Sequence, residues 1–124
     1  MKHPPLTATS PVHLAEKLRH LPPEAQAAFI RFQISFQARD LDPVIFAILD
    51  DFIPQKPETA LAAHPGDTRL MDDLGFDSIA ITETIFFTEE LFGITISNEE
   101  ILQVRTLDEL RHFILRKTAV SIAG

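Results

Sequence analysis

Proline and helix-capping residues divide this chain so regularly that they leave little room for anything but short helices. Ser10-Pro11 pairs a capping side chain with the residue best suited to a first helical position, and Leu14, Leu18 and Leu21 then fall on one helical stripe. Pro22-Pro23 closes that segment. A second helix is predicted from about Pro23 to Arg39, with Ala25, Phe29, Phe32 and Phe36 on one face and Ile30 and Ile34 on another. Asp42-Pro43 repeats the opening signal, and the run from Val44 to Ile53 is closed by Pro54. Residues 54 to 76, broken by Pro54, Pro57, Pro65, Gly66 and Gly75, read as a long structured loop, a feature usually functional in a small domain.

Beyond the loop the period returns. Ser78 to Phe92 is helical and ends at Gly93, which suits a left-handed cap. Ser97 to Glu100 forms a capping box with Ile96 and Ile101 placed as its hydrophobic staple, and Thr106 to Glu109 forms another, opening a helix that runs to about Lys117. The best strand candidate, Ile94 to Ser97, is four residues long and has no partner, so the expected fold class is all-α.

Composition narrows the chemistry. The chain has 124 residues, 45 % of them hydrophobic, enough for one modest core; ten Phe and no Trp or Tyr make that core plain hydrocarbon. The absence of cysteine excludes disulfides, thiol catalysis and thiolate metal sites. The opening residues lack the apolar run of a signal peptide, and no window approaches the roughly 20 apolar residues of a membrane span, so a soluble cytoplasmic protein is expected. Charge is uneven. Residues 1–39 carry five Lys/Arg against two acids, net +3, whereas the rest carry six against sixteen, net −10. Such a body repels nucleic acid and attracts basic protein surfaces.

The helix from Ser78 is the informative one. At 100° per residue, Ala80, Ile81, Thr84, Ile85, Phe87, Thr88, Leu91 and Phe92 face the core, while Thr82, Glu83, Glu89 and Glu90 face away. Ile79 and Phe86 also project into the acidic arc, two turns apart, and apolar residues framed by carboxylates suit docking better than solvation. Ser78 itself has several readings. As an N-cap it lacks the acidic partner three residues on, where Ile81 stands, and Asp77 caps equally well. As a hydrolase nucleophile it lacks the G-x-S-x-G elbow, and of five scattered histidines only His64 stands near enough in the loop to serve it; the same scatter leaves metal binding weak. As an attachment point it is well placed, because unsatisfied N–H groups at a helix start favour a phosphodiester anion and Gly75 permits a sharp turn that exposes the hydroxyl. Asp77 opposes that charge and suits the enzyme that installs the group.

The stretch Asp73-Leu74-Gly75-Phe76-Asp77-Ser78-Ile79 resembles the D-L-G-x-D-S-L attachment motif of the acyl carrier proteins and related phosphopantetheine-bearing domains, with Ile for the last Leu. Glu83, Glu89-Glu90, Phe92-Gly93-Ile94, Ile96, Glu99-Glu100, Thr106-Leu107 and Phe113-Ile114 follow at the family's spacing, so the resemblance covers about residues 42 to 117. It implies a four-helix carrier bundle over 42–117, preceded by a helical extension over 1–41 and followed by a tail over 118–124. It implies that Ser78, with Asp77 and Gly75 beside it, receives 4′-phosphopantetheine from coenzyme A. The arm's thiol would then carry acyl intermediates as thioesters in fatty acid, polyketide or specialised lipid biosynthesis. The chain would be no enzyme. Its partners would be a phosphopantetheinyl transferase and acyl-loading and condensing enzymes with basic surfaces, met by Ile79, Glu83, Phe86, Glu89 and Glu90.

Alternatives are a carrier-like adaptor without the arm and an aminoacyl or peptidyl carrier. Two departures from the family stand out. The extension has no counterpart and leaves self-association through the Ile30 and Ile34 edge open. Thr84 and Thr88 replace core leucines and Phe87 replaces a small residue, which favours short, polar or unsaturated cargo, or cargo kept outside, unless both hydroxyls simply bond back along the helix.

Overall fold

The computed structural model describes residues 16–123. The Ser10-Pro11 cap and Leu14 lie outside that range. Among the described residues every regular element is helical: α1 at 16–19, α2 at Pro23–Ser35, α3 at Ala38–Phe52, α4 at Ser78–Phe92, α5 at Asn98–Gln103 and α6 at Leu107–Ala123, with one 3-10 turn at Leu61–Ala63. No described helix is long and apolar enough to cross a membrane.

The first break differs from the expected one. The second helix stops at Ser35, and α3 begins at Ala38 instead of Asp42. Phe36 takes the left-handed conformation (φ 54°) and its N–H reaches the Phe32 carbonyl at 2.9 Å. That conformation costs a non-glycine residue about 1–2 kcal/mol, and Asp40 holds the corner against it. Ser35 Oγ donates to one carboxylate oxygen at 2.5 Å and Arg31 Nε to the other at 3.2 Å. Pro43 therefore lies inside α3, where only the bond to the Arg39 carbonyl is forfeited. The last helix also outruns its expected end near Lys117, continuing to Ala123 with Thr118 buried and its hydroxyl bonded to the Ile114 carbonyl at 2.8 Å.

Two apolar clusters result. The larger gathers Ile45 and Leu49 of α3, Ile85 of α4 and Leu110, Phe113 and Ile114 of α6, with Phe32 of α2 fully buried among them. The smaller joins Leu21, Ala25, Ala28 and Phe29 to Val44 and Ile48 of α3 and to Phe87 and Leu91 of α4. The extension thus covers one side of α3 and α4. Its aromatic rings meet theirs: Phe29 lies 5.5 Å and Phe32 6.0 Å from Phe92, centroid to centroid. Ile30 and Ile34 remain outside, 59 % and 80 % exposed.

Backbone bonds fasten the long loop to the start of α6. Leu70 N–H donates to the Arg105 carbonyl, Leu107 N–H to Thr68 and Asp108 N–H to Gly66, at 2.9, 3.1 and 2.9 Å. Leu61, Leu70, Leu74 and Phe76 plug the loop into the core. Both capping boxes form, Ser97 with Glu100 and Thr106 with Glu109. Gly93 is the left-handed cap of α4, as its position predicts.

Candidate functional site

Ser78 is the first residue of α4 and is exposed, and among the described residues no side chain hydrogen-bonds its hydroxyl. Its presentation is built by its neighbours. Leu74 and Phe76 point inward and are buried, and Gly75 between them has φ +77° with open space where a Cβ would stand. Glycine is therefore required there by conformation, not crowding. Gly75 N–H bonds to the Met71 carbonyl and Phe76 N–H to Leu70, closing the turn.

The acidic residues of the motif have structural work. Asp77 is the N-cap: its Oδ1 accepts the Ala80 N–H at 2.8 Å. Asp73 accepts the Arg69 backbone N–H at 2.8 Å and two guanidinium bonds at 3.2 and 3.3 Å, while Asp72 faces the same guanidinium at 3.3 Å. The hydrogen bond from the Arg69 side chain, ahead of the backbone bond, holds the Asp73 carboxyl below the ordinary carboxylate range. This lock could have been sought in the sequence, since Arg69 and Asp73 stand four residues apart.

Beside Ser78 opens a groove of about 750 Å³. Leu70, Ile81, Ile101 and Val104 form its floor, and Ser78, Thr82, Arg69 and Arg105 share its lining. The same four floor residues separate it from an interior pocket of about 20 Å³, closed by Leu49, Thr84, Ile85 and Leu110. Thr84 and Thr88 donate to the carbonyls of Ala80 and Thr84, each at 2.8 Å, so the inward hydroxyls are satisfied along the helix and call for no polar ligand. A second open groove of about 400 Å³, between α2 and α3, is lined by Pro22, Pro43 and Phe46 and carries no hydroxyl or imidazole.

The outer face of α4 divides. Ile79 and Phe86 are 71 % and 60 % exposed and Glu83 lies open between them. Glu89 is engaged within the fold, its Oε2 accepting the Ile96 N–H at 2.7 Å and pinning the turn after Gly93. Glu90 is paired with Lys17 at 2.9 Å. Gly75, Asp77, Ser78, Ile79, Glu83 and Phe86 are therefore each exposed, before or along α4, while the two later carboxylates have other tasks. His64 is part of the loop's own bonding, a ring nitrogen 3.3 Å from the Thr59 carbonyl oxygen. Among the described residues no cluster of side chains could hold a metal ion.

The residues present fit a covalently attached phosphodiester arm. The hydroxyl is free, it stands at the N–H end of a long helix, and the adjoining groove is apolar below, with Arg69, Asp72 and Arg105 at its edge. Comparison with known proteins agrees. Residues 58–114 match the family described as the phosphopantetheine attachment site. A stretch of 51 residues is 41 % identical to an acyl carrier protein of Solidesulfovibrio magneticus, covering 41 % of this chain and 65 % of that one. The acyl carrier protein MbtL of Mycobacterium tuberculosis is 41 % identical over 51 residues, 41 % of this chain and 61 % of its own. The anthracycline acyl carrier protein DauA of a Streptomyces species is 30 % identical over 56 residues, 45 % and 67 % of the two chains. The match thus spans a little under two thirds of the first two relatives. The chain belongs to the phosphopantetheine-attachment family, whose matched region is the site of covalent 4′-phosphopantetheine attachment.

Proposed function

We propose that this protein is an acyl carrier whose arm is attached to Ser78. The observation that carries the reading is the position of that hydroxyl: exposed, first in α4, at the edge of the 750 Å³ groove, within an intact Asp-Leu-Gly-Phe-Asp-Ser turn. When bound, the 4′-phosphopantetheine supplies a thiol, which the cysteine-free chain lacks, for holding acyl groups as thioesters. The protein's residues present and orient. The α4 N-terminus favours an anion at Ser78, Asp77 keeps that terminus formed, and Arg69 with Asp73 fixes the turn before it. Among the described residues no side chain reaches the Ser78 hydroxyl to serve as its base. It raises local concentration, since a docked tether gives effective concentrations of order mM.

The partners in this reading are a phosphopantetheinyl transferase and acyl-loading and condensing enzymes with basic surfaces, received at Ile79, Glu83 and Phe86. The carrier unit begins with α3 at Ala38, and α1 and α2 form an appended layer. The likeness to a protein named as an anthracycline acyl carrier supports a place in polyketide assembly as readily as in fatty acid or specialised lipid synthesis. A pocket of about 20 Å³ holds about one water-sized group, so a long chain enters the interior only if α4 and α5 part. Intact mass tests the reading: with coenzyme A and a transferase, one arm is added to the wild type and none to Ser78→Ala. A wild type left unmodified by several transferases favours the armless adaptor.

A further inference from the structure

The outer side of α4 carries three carboxylates by sequence, and the chain's own extension meets one of them. Lys17 Nζ bonds to Glu90 Oε1 at 2.9 Å and stands 5.1 Å from the centroid of the Phe87 ring. It is held more firmly than an ordinary surface lysine. Its side chain is only 27 % exposed, and its neighbours Leu18 and Leu21 pack into the smaller core against α4 and α3. A cation placed on an aromatic ring and a carboxylate gains from both, while the packed leucines supply most of the ordering cost in advance.

We infer that residues 17–21 act as an internal competitor for the basic residues of partner proteins, occupying Glu90 so that the docking face is confined to Ile79, Glu83 and Phe86. Glu89 reinforces the restriction, because its carboxylate is spent on the Ile96 N–H. The face that remains has two large apolar side chains around one carboxylate. It fits a partner with an apolar hollow and a single cation beside it. A partner that presents a row of cations must displace Lys17 first. This rests on the carrier reading for its biological sense, but the competition itself is a property of the surface.

The test uses the full chain and, as probe, a synthetic amphipathic leucine-lysine helical peptide, titrated at low and high salt. Lys17→Met keeps the stem over Phe87 and removes the charge, and it is expected to bind the peptide about two- to fivefold more tightly at low salt, the range of an exposed charge pair. Lys17→Arg stays at the wild-type value. Lys56→Met, which makes the same change in net charge at the distant Asp50 pair, gives a smaller gain. In a Glu90→Gln background the gain from Lys17→Met disappears. Glu90→Gln alone leaves affinity unchanged, because that carboxylate is already occupied, whereas Glu83→Gln weakens it. Equal affinity for Lys17→Met and wild type, a gain that survives Glu90→Gln, or a loss from Glu90→Gln as large as from Glu83→Gln overturns the inference. The Glu90 and Glu83 variants keep it falsifiable should Lys17→Met fold poorly. Arm addition followed by mass on the same samples reports on carriage separately, so the two readings fail independently.

Discussion

Arg111 and Asp42 stand 69 positions apart and share a hydrogen bond of 2.6 Å, Nε donating to Oδ1. The same guanidinium donates to Asp108 at 2.7 Å, so one side chain ties α3 to the first turn of α6. Both ends of the long bond are about a quarter exposed, between the weak surface pair and the costly buried one. Arg111→Met is expected to lower stability by about 1–2 kcal/mol in denaturant unfolding. A change within error would show the link to be ornamental.

Gly66 lies against the same carboxylate. A Cβ built there would stand 2.2 Å from Asp108 Oδ2, and Asp108 cannot simply swing away without leaving Arg111. Gly66→Ala should destabilise by about 1–3 kcal/mol through overpacking. In the Asp108→Ala background the same substitution should cost almost nothing, a non-additivity that a double-mutant cycle reads directly.

Gly75 fails for the opposite reason. Nothing would touch an added Cβ, yet φ is +77°, so Gly75→Ala is expected to cost about 1–2 kcal/mol from backbone strain alone, and Gly75→Asn clearly less. Equal losses for both would point to a side-chain clash that the geometry does not contain.

Acid should loosen the turn before Ser78. Asp73 is held below the ordinary carboxylate range by the Arg69 guanidinium, and Asp40 likewise, first by the Ser35 hydroxyl and then by Arg31. A lowered folded value means stability that is present above the unfolded carboxylate value of about 4 and is lost as pH falls through the folded one. Urea midpoints measured from pH 6 down to pH 2 should therefore fall less steeply for Asp73→Asn than for wild type. An identical slope would mean that the Arg69 contact does not persist in solution.

Phe32 and Ile34 are two positions apart on α2 and should respond in opposite ways. Phe32 is fully buried in the larger core and Ile34 is 80 % exposed. Phe32→Ala is expected to cost about 3–5 kcal/mol and Ile34→Ala less than about 0.5 kcal/mol. Removal of residues 1–36 should go further, uncovering Val44, Ile48, Phe87 and Leu91 and increasing binding of a hydrophobic dye. A truncated chain that melts like the full one would reduce the extension to a tether.

Helices with local end signals are legible in the residues themselves. Asn98–Gln103 starts on a capping box and α4 ends on Gly93, and both match because the bonds that define them lie within four residues. The burial of Thr84, Phe87 and Leu91 against the exposure of Ile79 and Phe86 follows from period alone. The break at Phe36 is not legible, because no glycine or proline marks it. It depends on Asp40 reaching back from the next helix, while Asp42-Pro43 imitates a helix start further on. Nor can spacing reveal that Glu89 and Glu90 are engaged. Their outward placement is local, but the Ile96 N–H and Lys17 arrive from elsewhere in the chain.

The groove beside Ser78 has walls of unequal stiffness. One is α4, which sinks six side chains into the cores; the other is α5, six residues long with none fully buried, held by its capping box and the 2.9 Å bond from Lys117 to Glu100. Short elements with few buried contacts yield first. Widening of the groove is therefore a swing of α5 against a fixed jaw. Leu70 N–H is bonded to the Arg105 carbonyl and Leu107 N–H to that of Thr68, so the turn that follows the yielding jaw and the loop that leads to Ser78 share one anchor.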